Sequence, residues 1–460
     1  MRMTEKKYIY LYFAILFFAI FIPSFISYGG IVADTLSYIK IADSIPDVKS
    51  NLFPLGYPLI IRLFHSFTDD YYFSARIVSI LTVLLIGVFS YFKKFYFKET
   101  IILLCTKIFV FCIYNLISEG LFLGIFYFLI YYFHEFFSKN KKGWSFILPT
   151  SLLFLALFLT RYSGIFIYAA ILIFFLINYR KPTFKNYKKD FFFVIILSGF
   201  FIASYMLYNF LNFGGIMGEN ERFSVDKSSI GLDIIRNFLG VMNLANPILG
   251  IKPAHFTPIT IIIEFFLFFI NLIFIYLIYH LFKKNKAWKS DFTITFLLIS
   301  SATYLVLVII SKFFQGIEEL NTRMLSESSF PLFLSAIILY FQSDYNKKII
   351  FYLAVFSLLF NAAYLIKIPQ NFLKRKAEVE NQIVNLKDKK YYFDNIKKVE
   401  KSRKEYKIPI INKTFYYEHG NQQKPFIDGN IIISKNPEIN LLLKDTVKNK
   451  KSVIFSSDIK

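Results

Sequence analysis

Charged side chains beside long hydrophobic runs are the groups in this sequence best placed to do chemistry. A charge at membrane depth is costly, and its presence there marks a working residue by default. The densest constellation is Ala33-Asp34-Thr35-Leu36-Ser37-Tyr38-Ile39-Lys40-Ile41-Ala42-Asp43. Asp34, Tyr38 and Ala42 recur every four residues and so share one helix face. That describes a short amphipathic helix on the outer surface, presenting a carboxylate towards the bilayer edge. The plainer reading is that Asp34 caps a helix just beyond Gly29-Gly30. Next comes Asn51-Leu52-Phe53-Pro54-Leu55-Gly56-Tyr57-Pro58-Leu59, where two prolines and a glycine shape a rigid turn back towards the membrane. Further along stand Ser74-Ala75-Arg76, Ser118-Glu119, Leu159-Thr160-Arg161-Tyr162-Ser163-Gly164 and Thr322-Arg323-Met324-Leu325. Carboxylates move protons and guanidiniums grip phosphate through paired bonds. Arginines at helix ends also snorkel to lipid head groups, and both readings stand at this level.

Soluble-enzyme signatures are missing: there is no Walker loop, Gly-rich dinucleotide turn, HExxH or Cys/His metal spacing. The five histidines are scattered, and His134 reads as an interfacial residue near a helix end. Cys105 and Cys112 lie seven residues apart in one hydrophobic run, two turns along a helix and too far to bridge. They read as packing residues.

The elements that must position these groups are membrane helices. Hydrophobic residues make up 56% of the 460, with 59 Phe and 32 Tyr, more apolar surface than a soluble fold of this length hides. The hydrophobicity comes in blocks near the roughly 20 residues a helix needs to cross the bilayer. About eleven spans are expected, over 8–28, 74–92, 100–117, 120–137, 145–160, 163–179, 191–211, 259–281, 292–311, 329–342 and 349–366. No small-residue cleavage site follows the first, which reads as a retained helix. The net charge of +22 gathers in short clusters between the runs and in the tail. This is the positive-inside pattern rather than a nucleic-acid footprint. It puts the N-terminus in the cytoplasm, and the odd span count puts the C-terminus outside. The expected fold is an all-α polytopic bundle over 1–367. Residues 368–460 follow as a Lys-rich extracytoplasmic region, a small α/β domain or partly ordered extension, with β-like pieces at 430–434 and 452–456.

The order of these features resembles the start of the GT-C superfamily of membrane glycosyltransferases. That superfamily includes the dolichyl-phosphate-mannose protein mannosyltransferases and the bacterial aminoarabinose transferases. The resemblance rests on the first helix, Asp34-x-x-x-Tyr38-x-x-x-Ala42, the Pro-x-Gly-Tyr-Pro turn, the Arg76, Glu119 and Arg161 motifs, and the late Thr322–Leu325 stretch with Pro331. It covers roughly 8–366 (by the span estimate above). Many members carry an Asp-Glu pair after the first helix, whereas Thr35 follows Asp34 here. The single carboxylate must act alone or with Asp43 or Glu119, which leaves a divalent cation as an open cofactor and no cofactor certain.

The resemblance implies transfer of a sugar from a polyprenyl-phosphate carrier to a lipid, glycan or protein acceptor, outside the plasma (inner) membrane of a bacterial envelope. Asp34 would be the general base, with inversion at the anomeric carbon. Arg161 and Arg323, assisted by Arg76, would hold the lipid phosphate. Glu119, Tyr38, Asp43 and Tyr57 would line or orient the substrate site. Membrane lipids are the other expected partner. Two other readings compete. A lipid-linked sugar transporter or flippase would put its charges at the midplane on inverted repeats, whereas these charges sit at outer helix ends. An O-antigen ligase or polysaccharide polymerase would use a large late outer loop, and 312–328 is short.

Overall fold

The computed structural model describes residues 5–221, 230–250, 257–314, 319–367, 371–374, 376–377, 391–392, 403–408 and 413–418. Helix α1 (Glu5–Phe21) runs on as a π-helical turn, Ile22–Ile26, at Pro23. Two short helices, α2 (Ala33–Ser44) and α3 (Gly56–Thr68), precede α4 (Tyr71–Lys93). Then come α5 (Phe97–Leu104), α6 (Lys107–Tyr114), α7 (Ser118–Ser138), α8 (Trp144–Thr160), α9 (Gly164–Asn178) and α10 (Lys188–Phe213). The bundle is completed by α11 (Ile230–Met242), α12 (Pro258–Lys284), α13 (Phe292–Phe314), α14 (Ser326–Gln342) and α15 (Lys347–Lys367). Among the described residues, seven segments are long and apolar enough to cross a membrane, and α8 and α9 are shorter apolar helices. The fold is the expected all-α polytopic bundle. Apolar side chains such as Ile262, Phe265, Phe266 and Tyr276 of α12 point outward, as a surface facing hydrocarbon requires.

The bundle has two chemically different ends. At one, lysines lie over aromatic rings: Lys142 over Tyr187, Lys188 over Tyr179, Lys284 over Tyr345 and Lys347 over Tyr340. Tyr8 of α1 packs on Phe341 and Phe351 there. This is the aromatic and cationic girdle of a membrane interface. The opposite end carries Asp34, Glu119, Arg161 and Arg323. The chain leaving α15 arrives at that same end, since the Asn371 and Leu373 N–H groups donate to the Ser27 and Tyr28 carbonyls at 2.9 and 3.2 Å. Phe372 stacks on Tyr72, and Lys376 pairs with Asp70. The start of α1 and the exit from α15 therefore lie at opposite ends.

One expected span is corrected. The run 100–117 is two short helices, α5 and α6, broken at Cys105-Thr106. Lys107 explains the break. Its N–H donates to the Pro247 carbonyl at 2.8 Å and its buried Nζ to Asn243 O at 2.7 Å. The irregular chain at 243–250 is thereby tied into the bundle, as non-helical backbone must be at membrane depth. Cys105 and Cys112 are free and buried.

In the C-terminal region, β1 (Tyr391–Tyr392), β2 (Arg403–Ile408) and β3 (Lys413–Glu418) form a sheet of order β1-β3-β2. β1 is parallel to β3 and β2 antiparallel to it. The β-like pieces expected at 430–434 and 452–456 lie outside the described residues.

Candidate active site

Asp34 sits in the first turn of α2, where the helix dipole favours a carboxylate. It is not the cap. The Val32 N–H is taken by Thr35 Oγ1 at 3.2 Å, so Asp34 has another use. The shared face of Asp34, Tyr38 and Ala42 turns into the bundle rather than towards the bilayer edge: Tyr38 is 2% exposed and Ala42 0%.

What fixes α2 is the turn before it. Gly30 has φ +101°, and a Cβ there would meet Arg76 Nη2 and the Tyr114 carbonyl, each at 2.3 Å, so only glycine fits. Arg76 is 2% exposed. It donates to Ile113 O (3.1 Å), Tyr114 O (2.9 Å) and Gly29 O (2.8 Å), and does not line the cavity described below. The structure thus uses this guanidinium as a clamp on the α1–α2 turn. Arg76→Met strips the Ile113 and Tyr114 carbonyls of their donor and leaves the Gly29 carbonyl to the Tyr72 hydroxyl alone, at a cost of about 1–3 kcal/mol for each group left unsatisfied. Thermal unfolding in detergent is expected to shift down by several degrees while the donor KM of the folded fraction stays unchanged.

Three further elements converge on Asp34. Arg161 stands at the C-cap of α8 in an extended conformation. Its neighbour Tyr162 donates to the Asn51 carbonyl at 2.8 Å, and the Leu55 N–H donates to Tyr205 of α10 at 3.1 Å, pinning the proline turn beside Arg161. Gly56 opens α3 against α8, where a Cβ would come within 2.6 Å of Leu159 O. Glu119 lies in the first turn of α7 and Glu327 in the first turn of α14. Arg323 lies in the turn ahead of α14, with Ser326 Oγ 2.7 Å from both the Arg323 carbonyl and Glu327 Oε2.

Together these groups make a ladder of alternating charge. Arg323 Nη1 bonds Asp34 Oδ2 at 2.7 Å across 289 residues of sequence, and its Nε is 3.6 Å from Glu119 Oε1. Arg161 pairs directly with Glu119 and holds Glu327 Oε1 at 3.0 Å from Nε. The two glutamate side chains are fully buried, while that of Asp34 is 23% exposed. Tyr38 joins from the side, its hydroxyl 2.8 Å from Ser118 Oγ, which lies 3.4 Å from Glu119 Oε2. Burial, then the Glu119 and Asp34 charges, push the Tyr38 phenol well above its ordinary pKa, so it stays protonated. Asp34, Tyr38, Arg161 and Arg323 open onto one cavity of about 350 Å³, walled by Phe53, Tyr162, Phe166, Tyr304 and Met324. Aromatic walls with a few convergent charges are the usual make-up of a small-molecule site.

The remaining sequence candidates fall elsewhere. Asp43 accepts from the Tyr71 hydroxyl at 3.0 Å, away from the ladder. Tyr57 is buried behind Tyr38, edge-on at 5.1 Å between centroids. Glu327 and Tyr304 were not expected at the site. Glu327 had a legible signal, because Ser326-Glu327 repeats the Ser118-Glu119 start of α7. Among the described residues, no group of three or more His, Cys, Asp or Glu is placed to hold a metal ion. The ladder carboxylates do not fit a divalent cation either, each being engaged by a guanidinium. Arg161→Met leaves the buried Glu327 without a cation and Glu119 with only the longer contact to Arg323, and costs about 3–5 kcal/mol. Loss of folded protein on size exclusion is the expected result.

Among solved structures, the chain is similar to ArnT from Cupriavidus metallidurans bound to undecaprenyl phosphate, a GT-C family aminoarabinose transferase. The TM-score is 0.57 over 85% of this chain and 83% of that one, at 9% sequence identity. At that identity the likeness is one of fold. No protein-family model and no curated protein matches the sequence.

Proposed function

We propose that the protein transfers a sugar from a polyprenyl-phosphate donor to an acceptor hydroxyl or amine on the extracytoplasmic side of the plasma membrane, with Asp34 as general base. The observation that carries this reading is the Asp34–Arg323 pair at the aromatic cavity, at the end of the bundle away from the lysine girdle. The donor already has an activated anomeric carbon with phosphate as its leaving group. The protein has to hold that phosphate, align the acceptor and take its proton.

Arg323 and Arg161 both line the cavity and suit the phosphate, since guanidinium binds it through two parallel bonds and stabilises the charge that develops as it leaves. Arg161 is committed to two buried glutamates, so Arg323 is the cation that changes partner. The donor phosphate takes Arg323 from Asp34, the most exposed carboxylate of the ladder. The released Asp34 carboxylate accepts the acceptor proton, and the acceptor lone pair attacks the anomeric carbon. The carbon–oxygen bond to phosphate breaks with its electrons going to polyprenyl phosphate, and configuration inverts. On this reading residues 1–367 form the catalytic unit, residues 368–460 lie outside, and the N-terminus is cytoplasmic. Sugar and acceptor identity are matters for the assay.

The experiment is a proteoliposome assay with radiolabelled lipid-linked monosaccharides and a mixed acceptor pool. Free polyprenyl phosphate and a glycosylated acceptor in equal amounts support the transferase. Lipid-linked sugar crossing the bilayer intact, with no product, replaces it with a flippase.

A further inference from the structure

A second cavity of about 350 Å³ lies between α12 and α15, floored by α14 and α5, and is independent of the site above. Its lining is almost wholly apolar: Leu277, Ile278, Phe333, Ile337, Leu353 and Ala354 are typical. At its inner limit it meets Ala245, Pro247 and Ile248, part of the irregular chain tied down by Lys107. That chain is braced further by Asn246 on Asn271 (2.8 Å), by Asn361 on Ile248 O (3.3 Å) and by Ser357 on Pro247 O (3.3 Å). The slot is therefore blind towards the active-site end.

Its other limit is the lysine girdle. Tyr340, Tyr345 and His280 line the slot there. The two tyrosine rings stack at 5.3 Å, with Tyr345 Oη 3.5 Å from His280 Nδ1. Lys284 Nζ lies 4.7 Å from the Tyr345 centroid, and Lys347 Nζ lies 5.7 Å from that of Tyr340 while donating to the Tyr340 carbonyl at 2.9 Å and to the Ser343 carbonyl, which leaves it one N–H for a phosphate. Lys283, Lys286 and Lys348 follow on the same turns, against Asp344 and, in the first turn of α5, Glu99. The mouth is net cationic. Along α15 the lining runs from Ile349 to Ser357, roughly 12 Å at 1.5 Å per residue. One leaflet of hydrocarbon is about 15 Å deep.

We propose that this slot binds one acyl chain of an anionic phospholipid from the leaflet at the basic end, with the phosphate held by Lys284 and Lys347. The apolar lining takes the chain. The depth matches one leaflet, and the blind end excludes a carrier long enough to reach the far side. The lysines select an anionic head group over a zwitterionic one, because each basic group near a lipid surface adds to its attraction for anionic lipid. Occupancy would brace α12, whose outward face otherwise meets only hydrocarbon, against α15.

The test uses the full chain in phosphatidylcholine nanodiscs doped with phosphatidylglycerol bearing a photoactivatable group in its acyl chain, with cross-linked peptides mapped by mass spectrometry. The proposal predicts labels on 274–281 and 349–357, competed by unlabelled phosphatidylglycerol and not by phosphatidylcholine. Lys284→Gln is expected to reduce that labelling severalfold. Ala354→Trp, which fills the slot, should abolish it. Lys284 lies exposed at the mouth, so its variant stays informative if the tryptophan variant does not fold. Equal labelling by phosphatidylglycerol and phosphatidylcholine probes reduces the slot to ordinary annular contact and overturns the proposal. So does labelling by a polyprenyl-phosphate probe alone.

Discussion

Asp34→Asn is expected to lower the rate of sugar transfer by about 10²–10⁴, the usual contribution of a positioned general base, with little change in donor binding. The asparagine is nearly isosteric and still accepts a hydrogen bond from Arg323, so the fold and the cavity persist. What goes is the capacity to take the acceptor proton. The loss should therefore appear in kcat, with the KM for donor within a few-fold of wild type. Tyr38 cannot substitute, since burial and the neighbouring carboxylates hold its phenol protonated. Glu119 cannot either, fully buried between Arg161 and Arg323. Steady-state kinetics in nanodiscs, with folding checked by size exclusion, reads this directly. An Asp34→Asn enzyme with unchanged kcat would remove the assigned base.

The second large effect is at Arg323. Arg323→Met is expected to reduce kcat/KM for the donor by about 10²–10³, the range for removing one preorganised group that meets developing charge. Much of that loss should appear as a raised donor KM, because the arginine meets the phosphate in the ground state as well. Arg323→Lys is expected to recover only part of it, since a point ammonium does not reproduce the planar fork. The contrast with Arg161 is informative. Both arginines line the cavity, but Arg161 neutralises two buried glutamates and its loss falls on folding. Arg323 is tied to the more exposed Asp34, so its loss falls on the donor. If Arg161→Met and Arg323→Met folded equally well and lost donor binding equally, the division of labour between them would be wrong.

Much of this was legible in the sequence because membranes impose simple rules. Hydrophobic length marks helices, and basic clusters mark one end of the bundle. The candidate charges Asp34, Glu119, Arg161 and Arg323 were visible because charges beside such runs are rare, and the structure gathers all four on one ladder. What could not be read was who pairs with whom. Asp34 and Arg323 meet only because α2 folds back under the turn before α14, a packing result with no local signature. Arg76 looked like a cation for phosphate, but its partners are the Gly29 carbonyl of the α1–α2 turn, the Ile113 and Tyr114 carbonyls at the end of α6 and the Tyr72 hydroxyl. Hydropathy also sums over a run without testing its continuity, so the break between α5 and α6 was hidden although Thr106-Lys107 interrupts the pattern. Glu327 was passed over beside Arg323, although it repeats the Ser-Glu start of α7.

The central claim is that a sugar–phosphate bond is broken here, and the most direct measurement is the free polyprenyl phosphate formed by purified protein in nanodiscs. Synthetic undecaprenyl-phosphate monosaccharides would be supplied with an acceptor mixture and the released carrier quantified by mass spectrometry. The account predicts acceptor-dependent release with at least one sugar, equal to the glycosylated product and lost in Asp34→Asn. Donor that binds without any release of carrier phosphate, with every sugar and acceptor tried, would contradict it.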